Sequence, residues 1–460
     1  MSEELFNDFE QISEKAWKQK IQVDLKGLDY NETLVTSTAE GIDIKPFYHQ
    51  DSHQSISLPQ TDNWLITEKI YLENYTSVKQ IATDVIDRGA ESLWLILPEA
   101  NEELFELLDI INAKKVPVFI EALKFDRDFF EKLDQKIKAL DIDVKLCCDP
   151  LHHLAKTGNW MSNKETDLNN FSQLISLKNL NHQLSVDARL YQNAGANLTE
   201  ELATALSHLN EYLNMIESSQ TDIKKFHLNL IVSVGSNYFF EISKIKAYRI
   251  LIESLVETYT FDLEINIIAE PTKRNKSLYD YNVNMLRTTT ECMSAALGGA
   301  DWINNLAFDE IYHKTNEFGE RVSRNQLLIL KNESYFDKVS NPTDGSYYIE
   351  NLTQQLSENA LELFKKIEKN EGFIDQLFKG QLQKMIKTSA EIEVSKLENQ
   401  DFVMVGTNKY ENKEDKMTHE LELYPFLKKK SRKTLFEPIM ETRIASKIEQ
   451  ERLAQEKSNL

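Results

Sequence analysis

Cysteine is nearly missing from this sequence: Cys147, Cys148 and Cys292 are the only three in 460 residues. An odd, sparse count fits a reducing compartment. With no Cys-x-x-Cys pair, a thiolate zinc site is not expected. The neighbours Cys147 and Cys148 fit one strand, as two small apolar side chains facing opposite sides. Glycine is also scarce, at 13 residues, where a usual share is about 7%. No two glycines are separated by a single residue and no Gly-Lys-Ser/Thr occurs, so dinucleotide and P-loop sites lose their main support. No apolar run approaches the roughly 20 residues of a membrane span. The opening MSEELFNDFEQ is acidic and lacks an apolar core, so no signal peptide is expected and the expected location is the cytoplasm. Positive charge is in deficit, 53 Lys and Arg against 74 Asp and Glu, net −21. Such a surface repels phosphate backbones and anionic lipid, which argues against nucleic-acid and membrane partners. The basic run KKKSRK, 428–433, then reads as a solvated face.

What is present is apolar material in a regular rhythm. Hydrophobic residues make up 41% of the chain, enough for a large core. Short apolar, β-branched runs recur at 64–72, 92–97, 116–122, 143–148, 184–190, 227–234, 264–270 and 301–307. Helical patterns separate them. The clearest is 199–217, where Leu202, Leu206, Leu209, Leu213 and Ile216 share a face, with Thr199 as the expected cap. Alternation of this kind implies a parallel sheet with right-handed crossovers, and eight repeats imply an α/β fold of the closed (β/α)8 barrel (TIM barrel) type. The expected division is an N-terminal arm over 1–60, the barrel over 61–370 and a C-terminal helical extension over 371–460. A helix from about 352 to 369 precedes the last boundary; beyond it 373–400 reads as helical, 401–412 as a short strand and loop, and the final segment as a frayed helix. In the arm, Leu5, Phe9, Ile12, Ala16 and Trp17 form an apolar stripe at helical spacing. The stripe must be buried either on its own barrel or on another chain.

In a (β/α)8 barrel the reactive groups lie at the C-terminal ends of the strands. Glu121 and Glu270 stand there and could form the acid and nucleophile of a glycoside hydrolase. The commoner use of such carboxylates is to pair with Lys or Arg at the barrel mouth. His152 and His153 are adjacent and point different ways, and His208 lies inside a helix, so each reads as a local hydrogen-bond partner. No carboxylate-rich metal loop appears. The junction SVDARLYQNAGAN, 185–197, stands where such barrels keep their chemistry, yet Arg189, Leu190, Tyr191, Gln192 and Asn193 include nothing that titrates near pH 7.

Three blocks carry a family resemblance: LRTTTECMSAALGGADWINNLAFDE (286–310), RVSRNQLLILKNES (321–334) and VSNPTDGSYYIENLT (339–353). With DLKGLDYNETLVTSTAEGIDIKPFY (24–48), AGAN (194–197) and VMVGTNKY (403–410), they resemble the adenosylcobalamin-dependent methylmalonyl-CoA mutase family over most of 17–445. Catalytic members end strand five with Tyr-His-Met-Gln-Glu-Ala-Gly-Ala, and that His sits by substrate and corrin. Here Ala194, Gly195 and Ala196 match, but Leu190 stands at the His position and Arg189 at the Tyr position. Catalytic members also clamp acyl-CoA with a Tyr-x-Thr-Met run and an Arg before the first strand, where this chain has SISLPQTDNW. They ligate cobalt through Asp-x-His-x-x-Gly in a further domain. Asp51-Ser52-His53 lacks the Gly and sits at the wrong end.

The resemblance therefore implies the small, non-catalytic (beta) subunit of a heterodimeric mutase. It implies no catalytic, cofactor-binding or metal residues in this chain and adenosylcobalamin in the partner. The partner would be the large catalytic subunit, which interconverts methylmalonyl-CoA and succinyl-CoA in propionate metabolism. In this family the arm is the wrapping element, so Phe9 and Trp17 are the expected partner-interface residues. Two other readings stay open: the catalytic barrel of a split acyl-CoA mutase with a separate cobalamin protein, and an independent barrel hydrolase using Glu121 and Glu270.

Overall fold

The apolar runs become eight strands in the computed structural model, which describes residues 9–53, 63–427 and 432–458. They are β1 (Leu65–Tyr71), β2 (Ser92–Leu97), β3 (Val118–Ala122), β4 (Val144–Cys147), β5 (Gln183–Asp187), β6 (Lys225–Val234), β7 (Asp262–Pro271) and β8 (Trp302–Asn304). All are parallel, in the order β4-β3-β2-β1-β8-β7-β6-β5. β1 pairs with β8 through Ile66 and Ile303, so first and last strands meet as a (β/α)8 barrel requires.

The remaining edges, β4 and β5, are joined by side chains instead of a backbone ladder. The Gln183 carboxamide acts as a substitute peptide group. Its Nε2 donates to Val144 O at 2.7 Å and its Oε1 accepts from Leu146 N at 2.7 Å. Ser185 Oγ and Asn229 Nδ2 donate to Leu146 O at 2.8 and 3.0 Å. Buried backbone groups need partners, and these polar side chains supply them where the ladder stops.

Alternation along each strand sorts the core into two compartments. Leu93, Leu95, Val118, Ile120 and Leu146 face the surrounding helices. Trp94, Phe119, Cys147, Ile231, Ile268 and Trp302 fill the barrel interior. Cys147 thus packs inward and Cys148 toward the helices, as the vicinal pair requires. Two residues beyond Phe119, Ile268 and Trp302 stand Glu121, Glu270 and Asn304. Period two therefore places a polar layer directly above the apolar one, at the mouth.

Several boundaries differ from the sequence expectation. β5 stops at Asp187 and a short helix, Arg189–Ala194, begins where the apolar run continued. The long helix is Leu198–Ser218, capped by Asn197 in a reciprocal box with Glu200, not by Thr199. The Thr199 hydroxyl instead donates to Glu40 O at 3.2 Å and fixes the arm. Tyr347–Lys369 starts a turn earlier than expected, and Gly380 divides the following helical region into Gly372–Phe378 and Gln381–Glu398. Residues 401–412 hold a tight turn with one isolated bridge, Val405 to Lys409, rather than a strand. The last helix, Ser446–Ser458, is anchored through buried Glu449 and Leu453 instead of fraying.

In the arm, a two-residue ladder joins Thr36–Ser37 to Asp43–Ile44 and sinks Ile42 into the core. The helix Glu14–Asp24 buries none of its residues. Trp17 is 45% exposed and stacks on Phe47 at 4.4 Å, while Phe9 is 74% exposed. Leu5, most of SISLPQTDNW (through Asp62) and residues 428–431 of the basic run lie outside the described residues. Residues 432–446 cross the C-terminal face of the barrel. Leu435 N donates to Gly158 O, Ile439 N to Ala155 O, Thr442 N to Asn193 O and Ile444 N to Arg274 O, each at 2.9 to 3.0 Å. They touch the connections after β4, β5 and β7. Gly158 makes the crossing possible: its φ is +72°, and a Cβ there would come within 2.6 Å of Phe436 O.

Candidate functional site at the barrel mouth

The turn after β5 aims Arg189 across the barrel axis. Its Nε and Nη2 grip both oxygens of Asp187 at 2.8 and 2.6 Å. Nη1 donates to Glu270 at 2.8 Å and Nη2 to Glu121 at 3.0 Å. Lys69 from β1 pairs with Glu270, to which Asn304 Nδ2 also donates at 3.3 Å. Trp94 Nε1 donates to Glu121 at 3.0 Å, and its ring lies under both cations, 4.0 Å from Lys69 Nζ and 4.9 Å from the guanidinium carbon. Two cations, three carboxylates and an indole thus occupy the mouth as one mutually bonded cluster.

Electrostatics follow the geometry. Burial favours neutral Glu270, but Lys69 and Arg189 outweigh it and hold its pKa down at about 2. Asp187 is also pushed well below the usual carboxylate range, because Arg189 and His152 outweigh its burial. Burial opposes the charge on Arg189, yet Asp187, Glu121 and Glu270 raise its pKa further. A glycosidase needs one carboxyl raised so that it carries a proton. Glu270 is shifted the other way, and both candidate carboxylates are bound to the same guanidinium.

Each remaining residue of the junction has a structural partner. Leu190 is fully buried in the main core. The Tyr191 hydroxyl meets His208 Nδ1 at 2.8 Å, and His208 Nε2 meets Asp149 at 3.1 Å. Asp149 also accepts from Tyr212 at 2.6 Å and from Asp187 N at 2.9 Å. Burial would raise its pKa, but His208 outweighs this and lowers it. Gln192 Nε2 donates at 2.6 Å to Glu241, which pairs with fully buried Lys244 at 2.7 Å. Asn193 Oδ1 accepts from Thr272 Oγ1 at 2.6 Å. All five side chains from Arg189 to Asn193 are thus held within the chain by packing or hydrogen bonds.

His208 and His152 act as the local partners expected, His152 Nδ1 lying 3.0 Å from Asp187 O. His49 and His53 are four residues apart but separate: His49 accepts from Asp51 N at 3.1 Å, and His53 pairs with Glu350 at 2.6 Å. Among the described residues no group of three or more His, Cys, Asp and Glu is placed to hold a metal ion. The sequence places Glu121, Glu270 and Arg189 at the mouth. It does not single out Lys69 or Asp187, whose roles depend on which strands are neighbours.

Comparison with known proteins gives the family. The family model described as methylmalonyl-CoA mutase matches residues 129–457. A methylmalonyl-CoA mutase small subunit from Porphyromonas gingivalis is 30% identical over 493 aligned positions, covering 99% of this chain and 79% of that one. This chain belongs to the methylmalonyl-CoA mutase family. A small subunit from Streptomyces virginiae is 28% identical over 78% of the chain and 62% of its own length. A large subunit from P. gingivalis is 28% identical, but over only 50% of this chain and 33% of its own length. Likeness to the mutase small subunit thus runs through the arm as well as the barrel, while likeness to that large subunit covers half of the chain.

Proposed function

We propose that this chain is the non-catalytic small subunit of an adenosylcobalamin-dependent methylmalonyl-CoA mutase, bracing a large subunit that binds substrate and cofactor. The observation that carries the proposal is the β5 junction. Leu190 replaces the family histidine and is buried in the core, while Arg189 fills the mouth with ion pairs. Leucine cannot donate a hydrogen bond to a thioester carbonyl. Radical rearrangement needs the acyl-CoA clamped and the corrin held over an accessible barrel. The residues here do not fit that cofactor: the mouth is occupied by bonded side chains, residues 432–446 cross it, and His53 is committed to Glu350. No step is assigned to this chain.

The test is reconstitution. The chain is purified alone, with the large mutase chain from the same cells, and with a separate cobalamin-domain protein. The proposal expects mutase activity and co-elution only with the large chain. In that complex Leu190→Met should leave kcat within about twofold, because the side chain packs a core of similar volume. Activity on adding the separate cobalamin protein would assign the chemistry to this barrel and overturn the proposal.

A further inference from the structure

Outside the barrel mouth, a cavity of about 210 Å³ lies between the turn near Gly406 and the helix Ser446–Ser458. Both walls are rigidly built. In the turn, the Asn408 side chain accepts from Met404 N at 2.7 Å and donates to Phe402 O and Leu397 O at 2.7 and 3.0 Å. Gly406 has φ +77° and presses against Asp280, where a Cβ would come within 2.7 Å. This holds Thr407 at the cavity, only 6% exposed, with a hydroxyl that makes no hydrogen bond. A buried hydroxyl left unpaired is costly, so such a group points to a missing partner.

In the opposite wall, Glu449 accepts from Leu278 N at 2.7 Å and pairs with Arg443 at 2.6 Å, so its charge is already balanced. Glu456 accepts from Met417 N and the Thr418 hydroxyl at 2.9 Å each. Between them Arg452 lies over the Tyr279 ring, its guanidinium carbon 3.8 Å from the ring centre. Its Nη2 donates to the carbonyls of Asn412 and Asp415 at 2.7 and 2.9 Å. Among the described residues no carboxylate lies within ion-pair distance of Arg452, whose guanidinium reaches the cavity wall. Glu411 and Glu451 also line it, both exposed, with Lys447 one helical turn from Glu451.

We propose that this cavity is a binding site for a small zwitterion of the amino-carboxylate class. Arg452 takes the ligand's carboxylate, Thr407 shares a hydrogen bond with it, and Glu411 and Glu451 receive the ammonium group. A lone anion would leave the rim carboxylates opposing it, and a lone cation would face the guanidinium. A dry cavity of about 150 Å³ holds benzene, so this one has room for about eight to ten non-hydrogen atoms. The assignment is independent of the mutase reading.

The test uses the full chain and calorimetric titration with each common L-amino acid, β-alanine and γ-aminobutyrate. At least one is expected to bind with Kd below about 1 mM. N-acetylation or methyl esterification of that ligand should each weaken binding about tenfold or more, as should Arg452→Gln. Thr407→Val should weaken it about fivefold while Thr407→Ser preserves it. Matched circular dichroism and urea midpoints establish that the variants fold. If Arg452→Gln does not fold, the Thr407 pair decides. The proposal is overturned if no amino-carboxylate binds in that range, if blocked forms bind equally well, or if binding survives the substitutions.

Discussion

Arg189 makes more of the barrel mouth than any other side chain, and its energetics follow from what would remain without it. Arg189→Met leaves Asp187, Glu121 and Glu270 around an apolar group, with Lys69 beside Glu270 and His152 beside Asp187 as the close partners that remain. Removing one partner of a buried ion cluster costs about 3–5 kcal/mol. Urea unfolding should show a loss of that size. Arg189→Lys should recover little, because one ammonium cannot span three carboxylates with a planar fork. Glu270 adds a pH signature. Its folded pKa of about 2 lies below the ordinary value, so its contribution is present above the unfolded pKa and lost as pH falls through the folded one. Two pKa units are about 3 kcal/mol. The stability gap between the native chain and Glu270→Gln should therefore be largest near neutrality and shrink between about pH 4.3 and pH 2. A gap independent of pH over that window would mean that the two cations do not act on this carboxylate.

At the scale of elements, the seam between β4 and β5 is the unusual joint. Gln183→Leu keeps the size of the side chain but strands Val144 O and Leu146 N inside the protein. Each unsatisfied buried group costs about 1–3 kcal/mol, so a loss of about 2–6 kcal/mol is expected in urea unfolding. Hydrogen exchange should localise it: the Leu146 amide should lose protection before amides of the β6–β7 ladder. The crossing segment has its own test. Gly158→Ala forces a Cβ against Phe436 O at positive φ, and should free residues 432–446 to proteolysis while the barrel stays resistant. Much of this was legible in the sequence. Central strands of a parallel barrel are buried on both faces, so 92–97 read as a continuous apolar run and gave the strand at once. The end of β5 was harder, because Ala188 and Leu190 continue the apolar run although the chain has turned into a helix. Asn197 outranks Thr199 as the cap because Glu200 stands three residues after it, a spacing the sequence does carry. The seam and the anchoring of the last helix were not legible. Gln183 and Glu449 look like surface residues until the fold places a carbonyl or Arg443 against them.

At the scale of the whole molecule, the two sides of the barrel differ. The helices Leu198–Ser218 and Tyr238–Val256 are buried on nearly every face beneath Tyr347–Lys369. The helices Tyr75–Asp87, Glu103–Ala113 and Arg127–Leu140 instead display a network of exposed pairs, such as Lys114–Asp87 and Lys136–Asp109. A charged, ion-paired face of that kind suits water, since interface cores are depleted in charge. Among the described residues of the arm, Phe9, Ile12, Trp17, Val23 and Leu28 are exposed apolar side chains. They stand on or beside a helix that buries nothing in its own chain, and the sequence stripe left its destination open between barrel and partner. If the arm docks on the large subunit, Trp17 becomes an aromatic anchor of the interface. Trp17→Ala should then weaken association with the large chain by about 2 kcal/mol or more, a factor of about thirty in Kd. The urea midpoint of the isolated chain should stay close to native, because Trp17 stays half exposed where it stacks on Phe47 and meets the edge of His49. Titration of the labelled large chain measures the first quantity and unfolding the second. A Trp17→Ala chain that unfolds earlier yet binds the large subunit as tightly would place the stripe on its own barrel. Equal affinity with unchanged stability would remove the arm from the interface and leave the barrel surface to hold the partner.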